Sequence, residues 1–81
     1  MYGMKFKLIR SHLGLKQKEL AGLLEVTPAA LSKIEHDIND PGSTINLNLI
    51  AKCNINLNWL YANHGSMFLD RNTRMKAGKE Y

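Results

Sequence analysis

Apolar residues recur at helical spacing in five short stretches of the chain, and none of these stretches shows the strict alternation of a strand. In the first, Lys5–Leu13, Phe6, Ile9 and Leu13 form an inward stripe, while Lys5, Lys7 and His12 fall elsewhere and the Arg10 stem runs along the stripe. Gly14 supplies a C-terminal stop, after which Leu15 packs back. The second helix, Gln17–Leu24, turns Leu20, Ala21 and Leu24 inward with Leu23 beside them. Ala21 is small enough for a neighbouring helix to approach closely. Lys16 occupies its cap position, where Ser, Thr or Asp is preferred, and Glu19 suits the positive end of the helix dipole.

After the turn Glu25-Val26, Thr27 and Pro28 give the strongest start signal in the chain. A threonine oxygen can accept from the free N–H groups of the next turn, and proline at the first helical position lacks an N–H that would be unpaired anyway. The third helix therefore starts at Pro28, with Ala30, Leu31 and Ile34 inward and Ala29, Ser32, Lys33 and His36 outward. Turn chemistry makes 37–42 a loop ending in Pro41-Gly42. Ser43 or Thr44 is expected to cap the fourth helix, which runs to about Cys53 on a core set of Ile45, Leu49 and Ile50. A break at 54–56 leads to Asn56 as cap of a fifth helix, Leu57–His64, with Trp59 and Leu60 as its main apolar residues and Gly65 as its stop. The predicted fold is all-α.

Composition narrows this picture. With 81 residues, 44% hydrophobic and 22% charged, the chain has material for one modest core and is not disordered over most of its length. The division expected is a domain over 1–69 and a basic, mobile tail over 70–81. A single cysteine, Cys53, forbids an internal disulfide, and nothing resembles a signal peptide or a membrane span, so a cytoplasmic setting is expected. The net charge of +4 is unevenly placed: Lys5, Lys7, Arg10, Lys16 and Lys18 precede any acid, and the tail is again basic. Basic ends around an acidic middle form an electrostatic footprint suited to a polyanion, although dispersed lysines also serve solubility. His12, His36 and His64 are too dispersed for a metal site. No nucleophile with an adjacent base, carboxylate pair or glycine-rich phosphate loop is present, so neither enzymatic activity, cofactor nor small-molecule substrate is expected.

The runs Gln17-Lys18-Glu19-Leu20-Ala21, Val26-Thr27 and Leu31-Ser32-Lys33-Ile34-Glu35 resemble the helix-turn-helix of the phage repressor and Cro-like (XRE) family, over roughly residues 5 to 65. Asn58-Trp59-Leu60 with Gly65 resembles the last helix of such proteins. Three departures stand out. Glu25 occupies the turn position that usually holds glycine, Lys16 replaces the usual cap, and the connection from Cys53 to Trp59 is one residue shorter. The resemblance implies a compact five-helix, lambda-repressor-like bundle whose second motif helix enters the major groove. By this resemblance Gln17 contacts a phosphate and braces the recognition helix. Thr27, Pro28 and Ala29 lie nearest the base edges, Ser32 and Lys33 one turn further, and His36 and Asn39 fall in a backbone-contacting loop. Arg10 and Glu35 match a structural salt bridge.

The charge pattern adds Lys5, Lys7, Lys16 and Lys18 as possible phosphate contacts. The outward chemistry of the third helix is sparse: Lys33 can donate to guanine, Ser32 and Thr27 can donate or accept, and Ala29 with the Pro28 ring can meet a thymine methyl. Trp59, Leu60, Met67, Phe68 and Leu69 exceed what so small a domain buries easily. They are expected to form a homodimer interface, the alternative being that the 67–69 run folds over the monomer's own core. The function expected is a sequence-specific regulator of the phage-repressor type, binding double-stranded DNA as a dimer on a palindromic operator. The competing class is a protein-interaction module, such as an antitoxin or adaptor, with weak or no DNA binding.

Overall fold

The computed structural model describes residues 2–69 and builds them from five helices: α1 Gly3–Leu13, α2 Gln17–Leu24, α3 Pro28–Glu35, α4 Ser43–Cys53 and α5 Leu57–Ala62. The basic tail expected at 70–81 lies outside the described residues. Helix α3 packs against both α1 and α2, and α2 packs against α4. The fold is all-α; among the described residues one antiparallel bridge, Ile55 to Phe68, is the sole extended pairing. Phe6, Ile9, Leu20, Leu24, Leu31, Leu49, Ile55 and Leu60 are the largest fully enclosed side chains, and the small Ala21 lies among them at the crossing of α2.

The helix ends show which signals are local. Gly14 takes a left-handed conformation at φ 67°, and Leu15 N–H closes the turn on Arg10 O at 2.9 Å. Asn54 does the same for α4 at φ 58°. Helix α5 is shorter than its pattern suggests. Asn63 already turns left-handed at φ 54° and His64 N–H folds back to Asn58 O at 3.1 Å, so the helix stops at Ala62, before Gly65. Asparagine tolerates that conformation better than most residues, which allows it to act as the stop. Helix α4 also differs at its start: Gly42 is the extended residue before it, and Ser43 and Thr44 lie inside the first turn without capping it. Asn56 does cap α5, accepting from Asn58 N–H at 3.0 Å.

Two features escape the helical periodicity. Helix α1 begins at Gly3, two residues before the apolar stripe predicts, because its first turn is docked on the end of α3. Gly3 N–H donates to Asp37 Oδ1 at 2.9 Å, and a Cβ on Gly3 would lie 2.1 Å from Glu35 O. The second is the return of 67–69 along the connection between α4 and α5. Asn56 N–H donates to Met67 O at 2.8 Å and Leu69 N–H to Asn54 O at 2.9 Å, while the Asn54 amide donates to Leu69 O at 3.2 Å. This strap covers Ile55, which is fully buried although it stands between two asparagines. Ile55 and Cys53 take core positions, whereas Ile50 stays half-buried. Burial pushes the Cys53 thiol above its ordinary pKa, which makes it an inert packing group.

Tyr61 closes the other side of α5. Its ring stands edge-on to Tyr2 with centroids 4.8 Å apart, and its hydroxyl donates to the Asn46 side-chain oxygen. No described helix is long and apolar enough to cross a membrane.

Candidate functional site

Helices α2 and α3 and the three residues between them form the unit on which the outward face depends. Lys16 has no acceptor to offer the first amides of α2, and the capping interaction that remains runs the other way, from Lys16 N–H to Glu19 Oε1 at 2.8 Å. At the far end Glu25 turns left-handed at φ 62° and ψ 40°, so the turn has the conformation that glycine would supply more cheaply. Val26 N–H reaches back to Ala21 O at 3.0 Å. Glu25 is also tied to α4 by Lys52 at 3.0 Å, and the Lys52 ammonium, by hydrogen bond and charge, holds the Glu25 carboxyl below its ordinary pKa. Asn48 of α4 donates to the Leu24 carbonyl at 3.2 Å, satisfying the end of α2. Thr27 is extended and its Oγ1 accepts from Ala30 N–H at 3.1 Å, with Pro28 at the first helical position.

The three motif helices meet at one carboxylate. Arg10 of α1 donates through Nε to Glu35 Oε2 at 2.9 Å and through Nη2 to Oε1 at 3.1 Å, and Gln17 of α2 donates to the same Oε1 at 3.2 Å. The Glu35 side chain is 1% exposed and that of Arg10 27%. A forked guanidinium–carboxylate pair fixes direction as well as distance. With Gln17 added, it sets the end of α3 relative to both α1 and the start of α2. Gln17 is thus held as a brace through one N–H of its amide.

The outer face of this unit carries Thr27, Pro28, Ala29, Lys33, His36 and Asn39 exposed and Ser32 half-buried. His36 Nδ1 lies 2.7 Å from Ser32 O, so the ring is folded back along the helix; Asn39 N–H closes on Lys33 O at 3.3 Å. Lys7, Lys16 and Lys18 are exposed. Lys5 is different. Its ammonium donates to Trp59 O at 2.6 Å, to Leu60 O at 3.3 Å and to the Asn63 side-chain oxygen, and it sits 5.0 Å from the centroid of the Trp59 ring. All three of its protons serve the carbonyl end of α5, where a cation also meets the negative pole of the helix, so Lys5 is a structural latch and not a free phosphate contact. No local signal could have shown this, because the partners lie 54 or more positions away.

Leu60 likewise differs from its expected place at a dimer interface, since it is 1% exposed and belongs to the monomer core. Trp59, Met67, Phe68 and Leu69 keep part of their surface open. Gly3, unremarkable in the sequence, proves necessary to seat α1 on α3. Among the described residues no group of three or more His, Cys, Asp or Glu side chains is placed to hold a metal ion.

Compared with protein families, residues 3–66 match a model described as a helix-turn-helix domain, which spans all five helices. Among curated proteins and solved structures nothing matches the chain.

Proposed function

We propose, from the premise that the chain belongs to the helix-turn-helix domain family, that it is a DNA-binding transcriptional regulator which lays α3 in the major groove of double-stranded DNA. The observation that carries this reading is the contrast between the two faces of α3. The inner one is fixed to α1 and α2 through the Glu35 hub, and the outer one leaves Thr27, Pro28, Ala29 and Lys33 exposed and unobstructed. A rigid helix with a small-residue leading edge is what close approach to base edges requires. Lys7, Lys16 and Lys18 supply phosphate contacts around it, and His36 and Asn39 flank its far end. The regulator acts in the cytoplasm as a repressor of the phage type.

We further propose a two-fold dimer on a palindromic operator, built on Trp59, Met67, Phe68 and Leu69. All four keep part of their surface open, although Trp59, Met67 and Phe68 also pack on the monomer's own core, and the dimer spaces two α3 helices roughly 34 Å apart. Sedimentation at micromolar concentration should give a dimer, with or without DNA; a strict monomer in both conditions removes the interface.

Helix α3 contains no Arg, Asn or Gln, and its Lys33 offers a guanine one flexible ammonium in place of a rigid fork. Sequence preference therefore comes from apolar fit, DNA shape and half-site spacing. Selection of bound sites from random duplex DNA tests the whole reading at once. It should return an inverted repeat with half-sites about one helical turn apart, roughly 10 base pairs, and enrichment of nothing over background contradicts it. Lys33→Ala should weaken binding to duplexes broadly and lower the slope of log affinity against log salt by about 1.

A second reading, a protein-interaction module without DNA affinity, has its own support in the exposed side chains of Met4, Ile38 and Leu47. The two readings separate on whether duplex DNA is bound at low salt.

A further inference from the structure

We infer that the leading edge of α3 reads C5-methyl groups on pyrimidines, thymine or 5-methylcytosine alike, as its principal direct base contact. The inference rests on the DNA-binding reading above and specifies what that same surface recognises. Its basis is which groups of the surface are already engaged. One N–H of the Gln17 amide is held by Glu35 at 3.2 Å, His36 Nδ1 lies on Ser32 O at 2.7 Å, and one lone pair of Thr27 Oγ1 accepts from Ala30 N–H at 3.1 Å. Exposed beside them are the Pro28 ring and the Ala29 methyl, two carbon surfaces on consecutive residues that carry no side-chain polar atom.

Pro28 adds a further restriction. It has no N–H, so the residue that opens the helix offers a base no backbone donor of its own. In the major groove the one apolar feature of the base edges is the methyl at C5, present on thymine, absent from cytosine and restored by cytosine methylation. A patch of carbon at the helix start therefore distinguishes pyrimidines by that methyl and is indifferent to the polar atom at C4. The surface reads methylation state and thymine content by one contact. A T·A pair and a methylated C·G pair are equivalent to it, whereas the unmethylated C·G pair is not.

The test uses the full chain and a site selected from random duplex DNA. Each thymine in turn is replaced by uracil, and at the same positions cytosine is compared with 5-methylcytosine. Each pair differs by one methyl and nothing else on the groove edge. The expected result is a three- to fivefold loss of affinity for uracil against thymine at one or two positions per half-site, about what burial of one methyl-sized group provides. A gain of similar size is expected for 5-methylcytosine over cytosine at those positions. Ala29→Gly and Pro28→Ala, each confirmed as folded by circular dichroism, should bring both ratios toward one.

Equal affinity for thymine and uracil at every position, with the site still bound tightly, overturns the inference while leaving DNA binding intact. Methyl sensitivity unchanged in both variants overturns it too, because the contact then lies elsewhere. Absence of binding to any duplex at low salt is a distinct result that removes the DNA-binding reading and the inference together.

Discussion

Gly3→Ala should lower the thermal midpoint of this domain by about 12–24 °C, the shift that a loss of about 3 kcal/mol produces in a chain of this size. The added Cβ would stand 2.1 Å from Glu35 O, 2.6 Å from the Glu35 carbonyl carbon and 3.0 Å from Ile34 O. These are backbone atoms of α3, so no rotamer change can relieve the overlap. Relief requires the first turn of α1 to lift from α3, which also breaks the Gly3 N–H to Asp37 bond. The loss therefore lies at the upper end of what overpacking costs. Gly22→Ala provides the internal contrast. It too replaces a helical glycine, yet its Cβ meets nothing within 4 Å, and the gain in helix propensity should raise stability by about 0.5–1 kcal/mol. Thermal unfolding followed by circular dichroism compares the two directly. Similar midpoints for both variants would show that α1 does not sit on α3 as described.

Arg10→Met should be comparably damaging, at about 3 kcal/mol. The variant leaves the Glu35 carboxylate enclosed with only the neutral Gln17 amide for company, and an uncompensated buried charge typically costs about 3–5 kcal/mol. The low end applies because the partner side chain is 27% exposed, so water can reach the vacated space. The double variant Arg10→Met with Glu35→Leu should recover most of that loss, since it removes the stranded charge along with its partner. Urea titration of the wild type and both variants measures this. A double variant as unstable as the single one would mean that the pair is itself strongly stabilising. The double variant is also informative about function. It frees Gln17 and unties the end of α3 from α1, so it should bind DNA more weakly than its recovered stability suggests.

What the residues revealed before any coordinates follows the range of the interactions involved. Thr27-Pro28, Gly14 and Asn56 act on atoms within a few positions, and the helix ends they predict are the ones observed. Helix α2 was legible at both ends, because the left-handed turn fell at the glycine position of the motif even though Glu25 occupies it.

The rest depends on partners far along the chain. Lys5 reads as one more exposed cation until α5 brings three oxygens to it, and Ile55 reads as part of a polar break until residues 67–69 cover it. The start of α1 depends on backbone atoms of α3, so no periodicity within α1 could mark it. Residues on the α3 surface were legible as positions. Their chemical freedom was not, because the engagement of Gln17 with Glu35 and of His36 with Ser32 O is visible only in three dimensions.

The mechanical picture is of a reading helix held from behind by one carboxylate and presented through a small, largely apolar leading edge. On the proposed DNA-binding reading, phosphate contacts by Lys7, Lys16, Lys18 and Lys33, all exposed, are expected to supply most of the affinity, and the exposed carbon at Pro28 and Ala29 a modest preference. Strong affinity and modest direct discrimination are therefore expected to coexist, with half-site spacing in a dimer adding the remaining selectivity.

Titration of labelled duplex DNA at several salt concentrations measures whether α3 and its basic surroundings bind it. Log affinity should fall linearly with log salt, with a slope of about −3.6 per protomer if four lysines each engage a phosphate at about 0.9. A chain that binds no duplex even at the lowest salt, or binds with no dependence on salt, contradicts the account.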